Sequence, residues 1–169
     1  MRHKSILVLH YLLFATVLSY SHVDFTWHTI SDDLLWPSSP TAADLDGDGD
    51  VDVLSASSKD NKVTWYENDG DENFTTHIIS TGAVKAIRVL ARDIDGDGDM
   101  DVLAASEGDG KISWYENDGS GNFAMQIDIT THALEAHDVH AADLDGDGDM
   151  DVLSASNQGV NIAWYENDG

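Results

Sequence analysis

The 169-residue sequence contains no cysteine and few basic side chains. Without cysteine the chain forms no disulfide framework and no thiolate metal site. Only 8 Lys and Arg stand against 32 Asp and Glu, and the net charge is −24. Such a chain lacks the basic footprint that binds nucleic acid or anionic lipid. Because 41% of the residues are hydrophobic, we expect a folded domain rather than a disordered acidic chain.

The amino terminus has the pattern of a secretory signal peptide. Arg2, His3 and Lys4 form a basic segment, residues 6–18 are mostly apolar, and Ser19-Tyr20-Ser21 has the small-x-small spacing of a cleavage site. The apolar stretch is shorter than the roughly 20 residues needed to span a bilayer. We therefore predict a signal peptide over residues 1–21 and a secreted protein, periplasmic or at the cell surface in a bacterium. The alternative interpretation is a buried or anchoring helix.

Two motifs recur three times with offsets of 49 and 50 residues. The acidic motif Asp-x-Asp-Gly-Asp-Gly-Asp-x-Asp is followed by Trp-Tyr-Glu-Asn-Asp-Gly, and a Phe recurs at 25, 74 and 123. The acidic motif occupies Asp44–Asp52, Asp93–Asp101 and Asp143–Asp151, and the aromatic motif occupies Trp65–Gly70, Trp114–Gly119 and Trp164–Gly169. A period near 50 residues is typical of propellers and solenoids. We divide the chain after the signal peptide into three repeats, about 25–73, 74–122 and 123–169.

Each repeat has the pattern of four short strands and no sustained helical period. In the second repeat these are Phe74–Ile79, Val84–Asp93, Met100–Ser106 and Lys111–Glu116, rich in β-branched and aromatic residues. The predicted fold is all-β, a partial β-propeller of three four-stranded antiparallel blades with calcium loops. Because Phe25–Ser31 matches Phe74–Ser80, we interpret it as the final strand of a blade.

The acidic motifs predict three calcium sites, one per loop. Alternate side chains of a tightly curled loop can point inward, and carboxylate oxygens without nitrogen or sulfur ligands favour calcium over zinc or copper. The predicted ligands are Asp44, Asp46, Asp48, Asp50 (through its carbonyl) and Asp52; Asp93, Asp95, Asp97, Asp99 and Asp101; and Asp143, Asp145, Asp147, Asp149 and Asp151.

Two other interpretations of the acidic motifs fit less well. An EF-hand needs a carboxylate at position 12, where this chain has Ser55, Ala104 and Ser154. A solvated acidic run that binds nothing would not recur in fixed register with a strand pattern. It would also leave five carboxylates within nine residues repelling one another without a cation.

The acidic motif, the Val-Leu-Ser-Ala-Ser strand after it and the Trp-Tyr-Glu-Asn-Asp-Gly motif closely resemble FG-GAP/VCBS repeats. The resemblance covers residues 25–169. It implies the integrin-α-type β-propeller, in which each such loop holds a calcium ion between neighbouring strands of a blade. That family usually has about seven repeats, whereas this chain has three.

The sequence shows no convincing catalytic arrangement. Glu135, His137 and His140 form a small polar cluster, but the two histidines would face opposite sides of a strand. We therefore expect a calcium-binding module for an extracellular protein or carbohydrate, not an enzyme. The alternative is the propeller scaffold of a polysaccharide-acting lyase or hydrolase. An unpaired edge at residues 164–167 further predicts edge-to-edge self-association or additional repeats in a longer chain.

Overall fold

A computed structural model describes residues 23–158 and 162–169 and shows only strands and irregular connections there. The predicted signal peptide lies outside these residues. The strands are β1 Pro37–Ala43, β2 Asp52–Ser57, β3 Lys62–Asn68, β4 Phe74–Ser80, β5 Ala86–Arg92, β6 Asp101–Ser106, β7 Lys111–Tyr115, β8 Ile127–Thr130, β9 Ala136–Ala142, β10 Asp151–Ser156 and β11 Ile162–Tyr165. Among the described residues, no helix is long and apolar enough to cross a membrane.

The strands form three antiparallel sheets, and none of the sheets closes on itself. The first sheet has the order β1-β2-β3-β4, the second β5-β6-β7-β8, and the third β11-β10-β9. The all-β prediction is confirmed. The prediction of four strands per sheet is correct for the first two sheets and wrong for the third, which has three strands in the described part of the chain.

The strand predicted at Phe25–Ser31 does not form. These residues are irregular, and the side chains of Phe25 and Trp27 are almost fully exposed. Its counterpart β4 is a strand because it pairs with β3, with Trp65 opposite His77. Phe25–Ser31 has a similar sequence but no such edge beside it, and an extended segment gains no ladder hydrogen bonds without one.

The sheets are offset from the sequence repeats. Each four-stranded sheet takes its first three strands from one repeat and its outer strand from the next, since β4 begins at the Phe that starts the second repeat. The Asn-Asp-Gly turn places β4 directly beside β3. The strand β4 therefore pairs with the strand that precedes it in the chain, although a repeat boundary lies between the two.

Two hydrophobic clusters hold the sheets together. Residues of the first and second sheets form one cluster, which includes Leu54, Trp65 and Val102, and residues of the second and third sheets form the other, which includes Leu103 and Val139. The side chains of a strand alternate between two faces. The middle sheet is covered on both faces, and for this reason β6 is buried along its whole length.

The acidic motifs lie at one end of the sheets. They connect β1 to β2, β5 to β6 and β9 to β10, at the same end as the turns 69–73 and 118–122 that leave β3 and β7. Each acidic loop is thereby brought next to an Asn-Asp-Gly turn that lies about 20 residues further along the chain.

Candidate metal centres

Each acidic loop gathers three carboxylates around one point. Within each group, one oxygen from each residue lies within 4.8 Å of the others. The groups are Asp44, Asp46 and Asp48; Asp93, Asp95 and Asp101; and Asp143, Asp145 and Asp151. Two oxygens that each lie about 2.4 Å from a common calcium ion can be at most that far apart, so the spacing fits one ion per loop.

The first Asp of each loop folds the loop around its own carboxylate. Asp44 accepts hydrogen bonds from the backbone N–H groups of Gly47 at 2.8 Å and Gly49 at 3.0 Å. Both glycines have positive φ, 75° and 96°, a conformation that other residues adopt only with strain. Asp93 and Asp143 make the same pair of contacts in their loops. The glycines of the motif are therefore needed for the curl that brings the carboxylates together.

The last Asp of each loop is fully buried and ties the loop to the aromatic motif. Asp101 accepts hydrogen bonds from the N–H of Ile94 at 3.0 Å and from that of Asn117 at 2.8 Å. Asp52 and Asp151 are equally buried and make the equivalent contacts. One carboxylate thus joins the start of the loop, its end and the outer part of the sheet, which explains why the two motifs recur together.

No basic side chain is paired with these carboxylates in the part of the chain that the structure describes. The Lys and Arg side chains that form ion pairs there reach acidic residues outside the loops, such as Asp60, Glu107, Asp128 and Asp138. Among the described residues, the negative charge of each loop therefore has no neutralising partner.

The carboxylates of the middle loop show the effect of this uncompensated charge. Burial raises the pKa of Asp101 above its usual value, and the charge of Asp95 adds to the effect. Desolvation also raises the pKa of Asp99, as do the nearby carboxylates of Asp97 and Asp93. A bound cation would reverse both effects, because it favours the ionised carboxylates.

The remaining predicted ligands are placed differently. The fifth residue of the loop belongs to the three-carboxylate group in the first loop only. In all three loops its carboxylate accepts a hydrogen bond from the backbone N–H of the seventh residue, as Asp97 does from Asp99 at 2.9 Å. The seventh residue instead packs against the Asn-Asp-Gly turn. A Cβ added to Gly119 would lie 2.3 Å from the Asp99 carboxylate, and Gly70 and Gly169 meet Asp50 and Asp149 in the same way.

No contact was predicted for the Asn of the aromatic motif, yet its side chain links neighbouring sheets. The Nδ2 of Asn117 donates to the carbonyl of Leu45 in the preceding loop at 2.7 Å. Asn167 contacts the carbonyl of Ile94 in the same way at 3.2 Å. The signal available in the sequence was the fixed distance of this Asn from the acidic motif.

The donor set fits a hard cation. The three groups contain only carboxylates, without the imidazole and thiolate ligands that select zinc or copper. The buried Asp101 carboxylate, which has no cationic partner among the residues that the structure describes, is an independent indication, since a charge buried without a counter-charge is costly. The residues that would hold an ion are therefore the three carboxylates of each group. The buried last Asp belongs to the group in the second and third loops and lies beside it in the first.

The polar cluster on β9 is open to solvent. His137 and His140 are exposed, and Glu135 hydrogen-bonds to Gln158. Asp138, which lies between the histidines, forms an ion pair with Arg88 of the second sheet at 2.9 Å. The structure therefore uses this segment for contacts between sheets.

The fold resembles that of an Agrocybe aegerita lectin that specifically recognises non-reducing terminal N-acetylglucosamine. The TM-score is 0.57 at 24% sequence identity, and the match covers 77% of this chain and 35% of the lectin. The chain therefore spans about a third of the length of that relative, and at this identity the likeness concerns the fold. No curated protein matches the chain in sequence.

A family profile, the FG-GAP-like repeat, matches residues 44–104 and again residues 93–154. Each match begins at the first Asp of an acidic loop and includes the next loop, so the profile recognises the pairing of loop and sheet described above. The two overlapping matches together cover well over half of the chain. The chain belongs to the family of FG-GAP-like repeat proteins.

Proposed function

We propose that the protein is a secreted, calcium-stabilised module of the β-propeller type that binds an extracellular protein or carbohydrate. The observation that carries the proposal is the threefold recurrence of one loop geometry. In each loop the carboxylates converge, and a buried Asp joins the loop to the sheet. Secretion is inferred from the amino-terminal sequence, which precedes the described residues.

Calcium suits these loops better than magnesium does. The ligands come from one short segment with two flexible glycines, and calcium accepts six to eight oxygens in irregular geometry, whereas magnesium demands a near-ideal octahedron. Extracellular modules commonly bind calcium with dissociation constants of about 10⁻⁴ to 10⁻³ M. Secretion into millimolar calcium would load such sites.

Thermal melting with calcium and with excess chelator tests this proposal. At a calcium concentration ten times the dissociation constant, each site adds about 1.4 kcal/mol, so three sites add about 4 kcal/mol. We expect a melting temperature at least several degrees higher in calcium than in chelator, and three ions per chain by calorimetry. Magnesium at the same concentration is the control. An unchanged midpoint would contradict the calcium assignment.

The binding role is supported by the family and by the lectin whose fold the chain shares. The stacked sheets are compatible with adjacent blades of a propeller, because each packs face to face on the next. A glycan array that includes terminal N-acetylglucosamine tests carbohydrate binding directly. If no glycan on the array is bound but a protein partner is retained, protein binding is favoured. If the chain releases hydrolysis or lyase products from a polysaccharide, the enzyme alternative is favoured.

A further inference from the structure

The third sheet exposes a face that is buried in the other two sheets. Ile162 is 75% exposed and Trp164 is 48% exposed. Their counterparts in the first sheet, Val63 and Trp65, are 0% and 4% exposed because the second sheet covers them. The same holds in the loops, where Leu144 is 46% exposed while its first-sheet counterpart Leu45 is buried. The face of the third sheet is therefore built to pack against another sheet.

The third sheet also lacks, among the described residues, the outer strand that the other two sheets have. A cavity of about 320 Å³ lies beside Trp114, between the second and third sheets, and Tyr165 and Glu166 are among its lining residues. The equivalent place beside Trp65 is filled by Phe123, whose ring lies 6.2 Å away at an edge-to-face angle. Phe123 is the Phe that starts a sequence repeat, so the cavity has the position that another such Phe would occupy.

Residues 25–31 have the sequence of the absent strand. Phe25-Thr26-Trp27-His28-Thr29-Ile30-Ser31 matches β4, Phe74-Thr75-Thr76-His77-Ile78-Ile79-Ser80. Phe25 is 92% exposed and Trp27 85% exposed. Both aromatic side chains therefore remain uncovered among the described residues.

One end of this segment lies beside the first sheet as the end of β4 lies beside the second. Ser31 lies close to the side chain of Tyr66 in the first sheet. Ser80, at the end of β4, lies close to Tyr115, the equivalent tyrosine of the second sheet.

We propose that two copies of this chain associate head to tail, with the third sheet of one copy packed on the first sheet of the other. Residues 25–31 of the second copy add to β11 as a fourth, antiparallel strand. The inference concerns self-association and does not depend on calcium or carbohydrate as a ligand.

The register follows from the first sheet, where Asn68, Glu67 and Trp65 lie opposite Phe74, Thr75 and His77. By equivalence, Asn167, Glu166 and Trp164 lie opposite Phe25, Thr26 and His28 of the second copy. Backbone pairing then satisfies the open edge of β11, as strand addition does at other sheet edges.

The side chains of the added strand have matching partners. His77 stacks on Trp65 with ring centroids 4.5 Å apart and contacts Glu67 at 2.6 Å. His28 would meet Trp164 and Glu166 in the same arrangement, and Phe25 would enter the cavity beside Trp114.

The loops supply a second complementary contact. Asn117 reaches the carbonyl of Leu45 in the preceding loop, and Asn167 reaches that of Ile94. Asn68 is the third member of this series, and its equivalent target is the carbonyl of Leu144 in another copy. The same contact would cover the exposed Leu144 and the exposed Val51 of the first sheet.

The geometry favours a second copy over closure within one chain. Ser31 lies close to Tyr66 of the first sheet, and the second sheet separates the first from the third.

A mixing experiment with single-cysteine variants of the 169-residue chain tests the register, since the chain has no cysteine of its own. Thr26→Cys is mixed with Glu166→Cys under mild oxidation in calcium buffer. The control pair reacts by collision at micromolar concentration, whereas paired strands hold the two cysteines at millimolar effective concentration, so the mixed disulfide should form about a thousandfold faster than in the control. That control pairs Thr26→Cys with Ile162→Cys, four residues or about 13 Å along the same strand.

Sedimentation measures the mass independently. We expect a dimer of the unmodified chain that dissociates on dilution, and a dissociation constant at least tenfold weaker for Phe25→Ala, while Val23→Ala, exposed but outside the register, leaves it unchanged. Circular dichroism verifies that each variant keeps its strands. A monomer at all concentrations, equal rates for the two cysteine pairs, or a disulfide that forms only within a single chain carrying both cysteines would overturn the proposal.

Discussion

Replacing Asp101 by Ala tests whether one buried carboxylate joins each loop to its sheet. Asp101 is fully buried and accepts the N–H groups of Ile94 and Asn117. A hydrogen bond to a charged acceptor contributes about 1.5–3 kcal/mol. Losing two leaves both donors buried without a partner, so we expect Asp101→Ala to lower the free energy of unfolding by about 3–5 kcal/mol in calcium.

Asp97→Ala is the matched control for the same loop. Its carboxylate is exposed and accepts one N–H, that of Asp99, so its loss should cost about 1 kcal/mol or less. Urea denaturation measures both variants. In chelator the difference should shrink but persist. Asp101 belongs to the middle metal group, so in calcium its loss also removes a ligand, and without the ion its removal relieves the repulsion from Asp95. Equal destabilisation of the two variants in chelator would refute the assignment of Asp101 as the joining residue.

Three further substitutions test the loops and the core. Asp95→Ala should remove the middle metal site and leave the outer two, so calorimetry should count two ions, and a count of three would contradict the single-loop ligand set. Gly119→Ala should destabilise the fold by more than Gly96→Ala in denaturation experiments, because the two glycines have similar positive φ, 75° and 77°, but only at Gly119 does the added Cβ meet the Asp99 carboxylate, at 2.3 Å. Leu103→Ala should cost about 2–5 kcal/mol in urea denaturation, since Leu103 is fully buried between the second and third sheets, and a cost near zero would show that these sheets do not share a core.

The acidic loops were predictable because their geometry is local. The first Asp of a loop accepts the N–H groups three and five residues later, so the curl is specified within nine residues. The different positions and contacts of the carboxylates within each loop could not be predicted in the same way. The last Asp of the loop is buried because the aromatic motif, 16 residues further on, closes over it. The seventh residue packs on a glycine that belongs to that motif.

The strand pattern was correct for most of the fold and failed at Phe25–Ser31. This segment and β4 share Phe, Thr, His, Ile and Ser at equivalent positions, yet only β4 is a strand. Strand formation depends on a neighbouring strand edge that supplies hydrogen bonds. A sequence pattern shows the β propensity of a segment but not whether such an edge lies beside it. The placement of the Phe-starting segment as a final strand is correct for β4 and β8, which are the outer strands of their sheets.

The sequence by itself determined the all-β class, the family resemblance and the positions of the acidic loops, because these depend on turns, alternation and spacing within single repeats. Only the tertiary structure decided which carboxylate of each loop is buried, which Asn bridges two sheets and which face of the third sheet stays open. Those properties arise where segments distant in the chain meet. Leu45 and Leu144 occupy the same position of the repeat, yet one is buried and the other exposed, since burial depends on whether another sheet packs over the residue.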